Sequence, residues 1–374
     1  MKIAIDVSQM CYEGTGVARY VYGLTQALLK LDTDHKFLLF AGTLRQRSYF
    51  TGLMTESPWN KATWKILPLP PKLAGLVLNS FSVPIESLVG NVDILHSSDW
   101  AQPSSRCPRV TTVHDLVFKK YPGTVDKLIL STQTRRMSKV IREKTHIIAD
   151  SMSTKVDLME IYGLPDSQID VVYPGVNPIY APQTDTEIER VKIKYNLPPR
   201  FILSVGTQEP RKNLPRLIDA CKTLDTPLVL TGKYGWGDPI TLGSLGAHLP
   251  AQADTPGVLA LGYVDDADLP GLYSGAHVFA YPSLYEGFGF PVIEAMACST
   301  PVVTSNISSL PEIVGEAGVL VDPMSVLSIK LGIMKADENR DKFIKLGIAQ
   351  ASKFTWDSTA RGVLKVYEKI THRD

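Results

Sequence analysis

The sequence predicts an α/β protein of two parallel sheets, each covered by helices, and three observations lead there. Short apolar runs alternate with longer helix-like patterns from end to end of the chain, as parallel strands joined by crossover helices require. The length, 374 residues, exceeds a usual single core and suits two domains. The turn-rich segment Tyr173-Pro174-Gly175-Val176-Asn177-Pro178 interrupts the pattern, a polar helix follows over Asp185 to Tyr195, and a fresh strand opens at Phe201. The second half therefore starts a sheet of its own.

In the first half the apolar runs place strands at 2–7, 37–41, 64–67, 93–96, 109–113, 146–149 and 169–173, with helices near 17–31, 73–88, 126–143 and 153–162. In the second half strands fall at 201–205, 227–231, 258–261, 277–281, 301–304 and 318–321, with helices near 213–224, 267–275, 290–298 and 308–314. The last stretch, about 338–370, reads as amphipathic helices with Phe354, Trp356 and Tyr367 on apolar faces. The expected boundary between domains lies at 177/178.

Composition excludes several classes. A net charge of +1 gives no global attraction to nucleic acid or membrane. The four cysteines, Cys11, Cys107, Cys221 and Cys298, share no CxxC spacing, so neither a zinc site nor a redox dithiol is suggested. The N-terminus runs straight into a strand pattern without a signal-peptide core. No apolar run reaches the ~18–20 residues that span a bilayer. A cytoplasmic protein is expected, at most peripheral at the inner membrane face.

Ligands of open parallel sheets bind beyond the carboxyl ends of strands, so residues just after strands carry the functional argument. Glu286-Gly287-Phe288-Gly289-Phe290-Pro291-Val292-Ile293-Glu294 follows a strand and opens a helix. Pro291 suits a first helical turn, and free N–H groups there favour an anion such as a diphosphate. Glu286 and Glu294 are acceptors suited to ribose or hexose hydroxyls; as bland residues they would be solvated charges at a helix start. Gly206-Thr207-Gln208-Glu209-Pro210-Arg211-Lys212-Asn213 follows another strand. Two permanent cations there could stabilise charge growing on a departing phosphate. As mere solvated charges at a helix start they would oppose the dipole.

Weaker signals come from the first half. Gly14-Thr15-Gly16 sits between a strand and a helix but lacks the third glycine of a dinucleotide fingerprint, so it is either a phosphate-contacting loop or a structural turn. His114 ends a strand in Val113-His114-Asp115; it is either a structural histidine or one that meets sugar hydroxyls. The basic stretch Lys119, Lys120, Lys127, Arg135, Arg136, Lys139, Arg142 and Lys144 is either a solvated helix face or a surface for anionic lipid. Thr231-Gly232-Lys233 lacks a P-loop's upstream glycines. The acid triplets Asp32-Thr33-Asp34 and Asp266-Ala267-Asp268 are not assigned to a metal, the second reading as a helix start.

Taken together and in this order, these motifs resemble the retaining glycosyltransferases of family 4, and the resemblance runs along nearly the whole chain. Glu286 to Glu294 resembles that family's E-x7-E signature. Gly206 to Asn213 resembles its phosphate-binding Arg-Lys loop, Gly14 to Gly16 its first glycine loop, and His114-Asp115 its central histidine motif. The resemblance implies a GT-B fold, two Rossmann-like domains facing across a cleft, with 1–177 on the acceptor side and 178–355 holding the donor. A C-terminal helix over 356–374 would return to the first domain. It implies that Arg211 and Lys212 hold the donor diphosphate. Glu294 would take the nucleotide ribose, and Glu286 with the backbone of Gly287, Phe288 and Gly289 the donor sugar. Gly14, Gly16 and Gly206 would approach the phosphates, His114 the sugar near its reacting carbon, and Tyr263 and Val264 the base.

The implied partners are a nucleotide diphosphate sugar, with GDP-mannose the best fit, and a glycan or lipid-linked acceptor. No metal, no other cofactor and no nucleic acid are implied. An epimerase or another enzyme on the same fold, and a non-catalytic binder of sugar nucleotides, are the competing readings.

Overall fold

The computed structural model describes residues 1–69, 71–97, 99–233 and 257–372. Contacts divide them into two compact units. The first comprises Met1–Lys120, Asp126–Gly175 and the chain from Thr355, and the second Tyr121–Val125 and Val176–Phe354.

The first unit holds strands β1 (Lys2–Asp6), β2 (Lys36–Gly42), β3 (Thr63–Leu67), β4 (Ile94–Ser97), β5 (Arg109–Val113), β6 (His146–Ala149) and β7 (Ile169–Val171). They form one parallel sheet in the order β3-β2-β1-β4-β5-β6-β7. The second unit holds β8 (Ile202–Val205), β9 (Leu228–Thr231), β10 (Val258–Gly262), β11 (Val278–Tyr281), β12 (Val302–Ser305) and β13 (Gly318–Val321). These are also parallel, in the order β10-β9-β8-β11-β12-β13. Both sheets grow outward from their first strand on one side and then restart on the other. Each therefore has a topological switch point, between β1 and β4 and between β8 and β11, where a crevice opens at the carboxyl ends.

The apolar strand runs follow from burial on both faces. Successive side chains alternate: Leu203, Phe279 and Tyr281 enter one core of the second unit with Val292, Ile293 and Met296. Ile202, Val278 and Ala280 enter the other with Leu217, Ile329 and Ile333.

The helix Trp356–Thr371 belongs to the first unit and packs on the helix Gly16–Lys30. Thr355 caps it, accepting from Ser358 N. The Trp356 indole lies so close to Gly23 that a Cβ there would sit 2.2 Å from the ring. Tyr367 OH meets His96 Nδ1 at 2.6 Å.

Some expected elements differ. The helix expected over 73–88 is two, Pro71–Ser80 and Glu86–Val89; Pro84 lies between them, and proline has no N–H to continue a helix. The helix Val326–Glu338 was not foreseen. Its Ile329, Ile333 and Ala336 are buried while Leu327, Leu331 and Met334 are exposed, so apolar residues on both sides blur the period. Phe354 lies in the link between Arg340–Ala351 and Trp356–Thr371 rather than on a helix.

Candidate active site

The loops after β8 and β11 flank the second unit's switch point and are tied together there. After β8 the chain makes a short 3-10 turn over Pro210–Lys212 and then places Asn213 in the left-handed region at φ +59°, which asparagine tolerates better than most residues. Its side-chain amide donates to Pro282 O at 3.0 Å and Pro323 O at 2.7 Å. Leu284 N donates to Arg211 O at 2.8 Å. From the loop after β12, the Ser309 hydroxyl lies 2.9 Å from Glu286 O and 3.1 Å from Phe288 O of the β11 loop, and Glu286 N donates to Ser308 Oγ at 2.9 Å. Gly289, at φ +103°, lets the loop turn into the helix Phe290–Ala297, with Pro291 in its first turn.

This scaffold gathers four charged side chains. Lys212 Nζ lies 2.6 Å from Glu286 Oε1, and Arg211 Nη1 lies 2.7 Å from Glu286 Oε2. Arg211 also reaches Glu209 Oε1 at 2.8 Å and Tyr285 O at 3.1 Å. Lys212 donates to the Tyr281 hydroxyl, with its Nζ 4.8 Å from that ring. Burial alone would raise the Glu286 pKa, but the charges of Arg211 and Lys212 outweigh it and bring the carboxyl to about 2. Burial, then the charge of Arg211, pulls the Lys212 amine below its ordinary value against the attraction of Glu286.

In the first unit Gly14 turns at φ +81° and Thr15 caps the helix Gly16–Lys30, accepting from Ala18 N. His114 follows β5, its Nδ1 2.5 Å from Asp150 Oδ2. The Tyr20 ring stands edge-on to it at 4.7 Å.

The comparisons with known proteins agree on a family. Residues 14–179 match the model described as Glycosyltransferase Family 4, and residues 185–350 match Glycosyl transferases group 1. Over 292 residues the chain is 33% identical to O-antigen chain mannosyltransferase B of Escherichia coli, covering 74% of each. The chain is a family 4 glycosyltransferase. The serotype-specific mannosyltransferase WbdA of Escherichia coli is 32% identical over 240 residues, which are 60% of this chain and 29% of that longer one. The solved structure of Anabaena Alr3699/HepE in complex with UDP-glucose superposes with a TM-score of 0.74 at 18% identity, over 99% of this chain and 100% of that one. The fold is GT-B.

In this glycosyltransferase the remaining expected donor residues fall as follows. Glu294 is buried on the helix Phe290–Ala297, its Oε2 accepting from Tyr273 OH at 3.0 Å. Phe288 and Val264 are core side chains, so only their backbones can meet a ligand. Tyr263 is half exposed, with Lys233 Nζ 4.8 Å from its ring centre. Gly206 N donates to Thr231 O at 2.9 Å beside Lys212, and with Lys212 and Tyr281 lines a small cleft at the end of β8. Gly287 lies in the same loop as Glu286. Both oxygens of Glu286, expected at the donor sugar, are held by the two cations.

The basic stretch corrects an expectation, because it is not one exposed face. Arg136 and Lys139 are buried. Arg136 donates to Thr111 Oγ1 and Thr112 O, both at 2.7 Å; Lys139 donates to Leu78 O at 2.5 Å and Phe81 O at 2.8 Å. Lys119, Lys120, Lys127, Arg135, Arg142 and Lys144 remain exposed. Asp268 is engaged by Lys194 at 2.6 Å and Arg190 at 2.5 Å. No group of three or more potential metal-ligating residues occurs among the described residues, and none of their helices is long and apolar enough to cross a membrane.

Sequence reasoning missed Tyr281 as the partner of Lys212 and Asp150 as the partner of His114. Both end a strand or directly follow one, and that position was the available signal.

Proposed function

We propose that this glycosyltransferase moves mannose from GDP-mannose, with retention and without a metal, onto a glycan or lipid-linked glycan in polysaccharide assembly. The observation that carries the reading is the cluster of Arg211 with the buried Lys212 and Glu286 at the second sheet's switch point. Similarity to O-antigen chain mannosyltransferase B supports the sugar and the kind of acceptor. The enzyme works in the cytoplasm at the inner membrane face, with the exposed cations between Lys119 and Lys144 toward anionic lipid.

The chemistry follows from the charges. A nucleoside diphosphate sugar brings two phosphates to cations that Glu286 already neutralises in part. As the sugar–phosphate bond breaks, charge grows on the departing oxygens, and Lys212 and Arg211 stabilise that state more than the ground state. Glu286, ionised at all ordinary pH values, accepts from sugar hydroxyls. A front-face path, in which a donor phosphate oxygen takes the acceptor's proton, needs no carboxylate base.

A thermal-shift panel of nucleotides and sugar nucleotides tests binding, since ligands of the folded state raise Tm. GDP and GDP-mannose are expected to give the largest shifts. Transfer is expected to persist in EDTA and to yield the same anomer as the donor by NMR. Lys212→Ala is expected to lower turnover by about 10²-fold or more. A flat panel would refute the donor reading. Full chelator inhibition would remove metal independence, and an inverted product would remove retention.

A further inference from the structure

Two histidines of the first unit, the buried His96 and the half-buried His114, invite comparison. His96 of β4 lies between Tyr367 OH, at 2.6 Å, and Thr112 Oγ1, at 2.9 Å. No carboxylate bonds to it among the described residues, and burial, then the charges of His114 and Arg136, pushes its pKa down to about 3. His114 differs by one neighbour. The parallel register pairs Val113 of β5 with Ala149 of β6, so His114 and Asp150 emerge side by side at the sheet's carboxyl edge. Their 2.5 Å contact is between Nδ1 and Oδ2.

Asp150 is 1% exposed, and its other oxygen, Oδ1, is buried without a hydrogen-bond partner. Such a carboxylate has His114 as its compensation. The imidazole is fixed from other sides as well. Tyr20, anchored by Thr112 Oγ1 at 3.2 Å, stands against its ring. Thr154 Oγ1 holds His114 O at 3.2 Å. Nε2 has no hydrogen-bond partner among the described residues.

We infer that Asp150 is a positioning residue that holds His114 as a charged imidazolium with one proton on Nδ1, so that Nε2–H meets the substrate as a donor only. The inference rests on the transferase reading and adds the state of His114 to it. An imidazolium has no lone pair, so it cannot take the acceptor's proton; it stabilises an oxygen that is gaining negative charge. No bond forms or breaks at His114, and its proton stays on the ring.

The groups facing His114 pull in opposite directions, and the carboxylates prevail. Burial and the charge of Arg136, from the helix Lys127–Arg142, oppose protonation, while the neighbouring His96 stays neutral. Asp150 and, from the loop after β4, Asp99 favour it, and the net result lifts His114 to about 9. Tyr20, from the helix Gly16–Lys30, is itself raised by burial and stays neutral.

NMR titration of the histidine rings in the intact chain tests this without any turnover. His114 is expected to titrate near 9 in the native protein and below about 6.5 in Asp150→Asn. In transfer assays kcat/KM is expected to hold up to about pH 9 and fall above it. Asp150→Asn is expected to move that fall below pH 7, a loss of about thirtyfold at pH 8, with activity regained near pH 5.5 and Asp150→Glu restoring the native limb. A purely structural role would lower Tm and leave the limb in place. A native His114 titrating at or below about 6.5, or an unshifted limb in Asp150→Asn, overturns the inference. Native protein that binds and turns over no sugar nucleotide, with His114 still near 9, overturns only the transferase reading.

Discussion

Glu286 is the residue on which the site's charge balance turns, because it bonds both Lys212 and Arg211 inside the second unit. Its pKa is depressed to about 2. A depressed carboxyl contributes stability that is present above its unfolded value, near 4.5, and is lost as pH falls through about 2. Glu286→Gln leaves Lys212 buried with less compensation, and the expected loss of stability at pH 7 is on the order of 3 kcal/mol. Urea titrations at pH 7 and pH 2.5 check the sign: the gap between native and variant should narrow at the lower pH. The same variant should keep or improve its affinity for a nucleoside diphosphate, having lost a competing anion, while turnover falls. A gap that stays constant down to pH 2.5 would contradict the assigned ionisation. Arg211, Lys212 and Glu286 were legible as a set because charge beside glycine after an apolar strand is a strong local pattern. Tyr281 and Asp150 were not, because a tyrosine inside an apolar run and an aspartate at a strand end look ordinary until the sheet register supplies their partners.

Elements were legible where one period dominated. β9 and β11 are fully buried apolar runs, and the parallel order of both sheets follows from crossover helices between them. The helix Val326–Glu338 escaped notice because it carries apolar residues on its exposed side as well as its buried one. The return of the last helix to the first unit followed from the family resemblance, but its seat against Gly23 was not legible, since a glycine there carries no chemical signature. Gly23 has room for a hydrogen where the Trp356 ring passes. Gly23→Ala would gain helix propensity, yet the added methyl forces the indole or the helix to shift. The clash should win and destabilise the first unit by about 1–3 kcal/mol. Gly23→Ala with Trp356→Leu should recover part of that loss, measured by urea unfolding. A single variant more stable than the native chain would mean that the two helices part easily.

At the scale of the molecule, the chain's path decides which pieces can be removed. The first unit is completed only by residues from Thr355 onward, whereas Phe354 still belongs to the second. Phe354 packs on Phe288, and its carbonyl accepts from Val176 N at 3.0 Å. One residue later the chain serves a different core: Thr359 Oγ1 donates to Tyr173 O, and Tyr367 holds His96. Ending the chain after Phe354 should therefore unfold the first unit, by stripping Trp356 and Tyr367 from its core, and spare the second. Calorimetry of the shortened chain should show one transition in place of two, and a nucleoside diphosphate at 100 times its Kd should still stabilise that transition by about 2.7 kcal/mol. The shift should disappear when Lys212→Ala is introduced, because the cation proposed to receive the phosphates lies wholly within the surviving unit. A shortened chain that retains both transitions would show that the last helix is dispensable to the first core. One that retains a transition without any ligand shift would show that the second unit's charges need the first to bind.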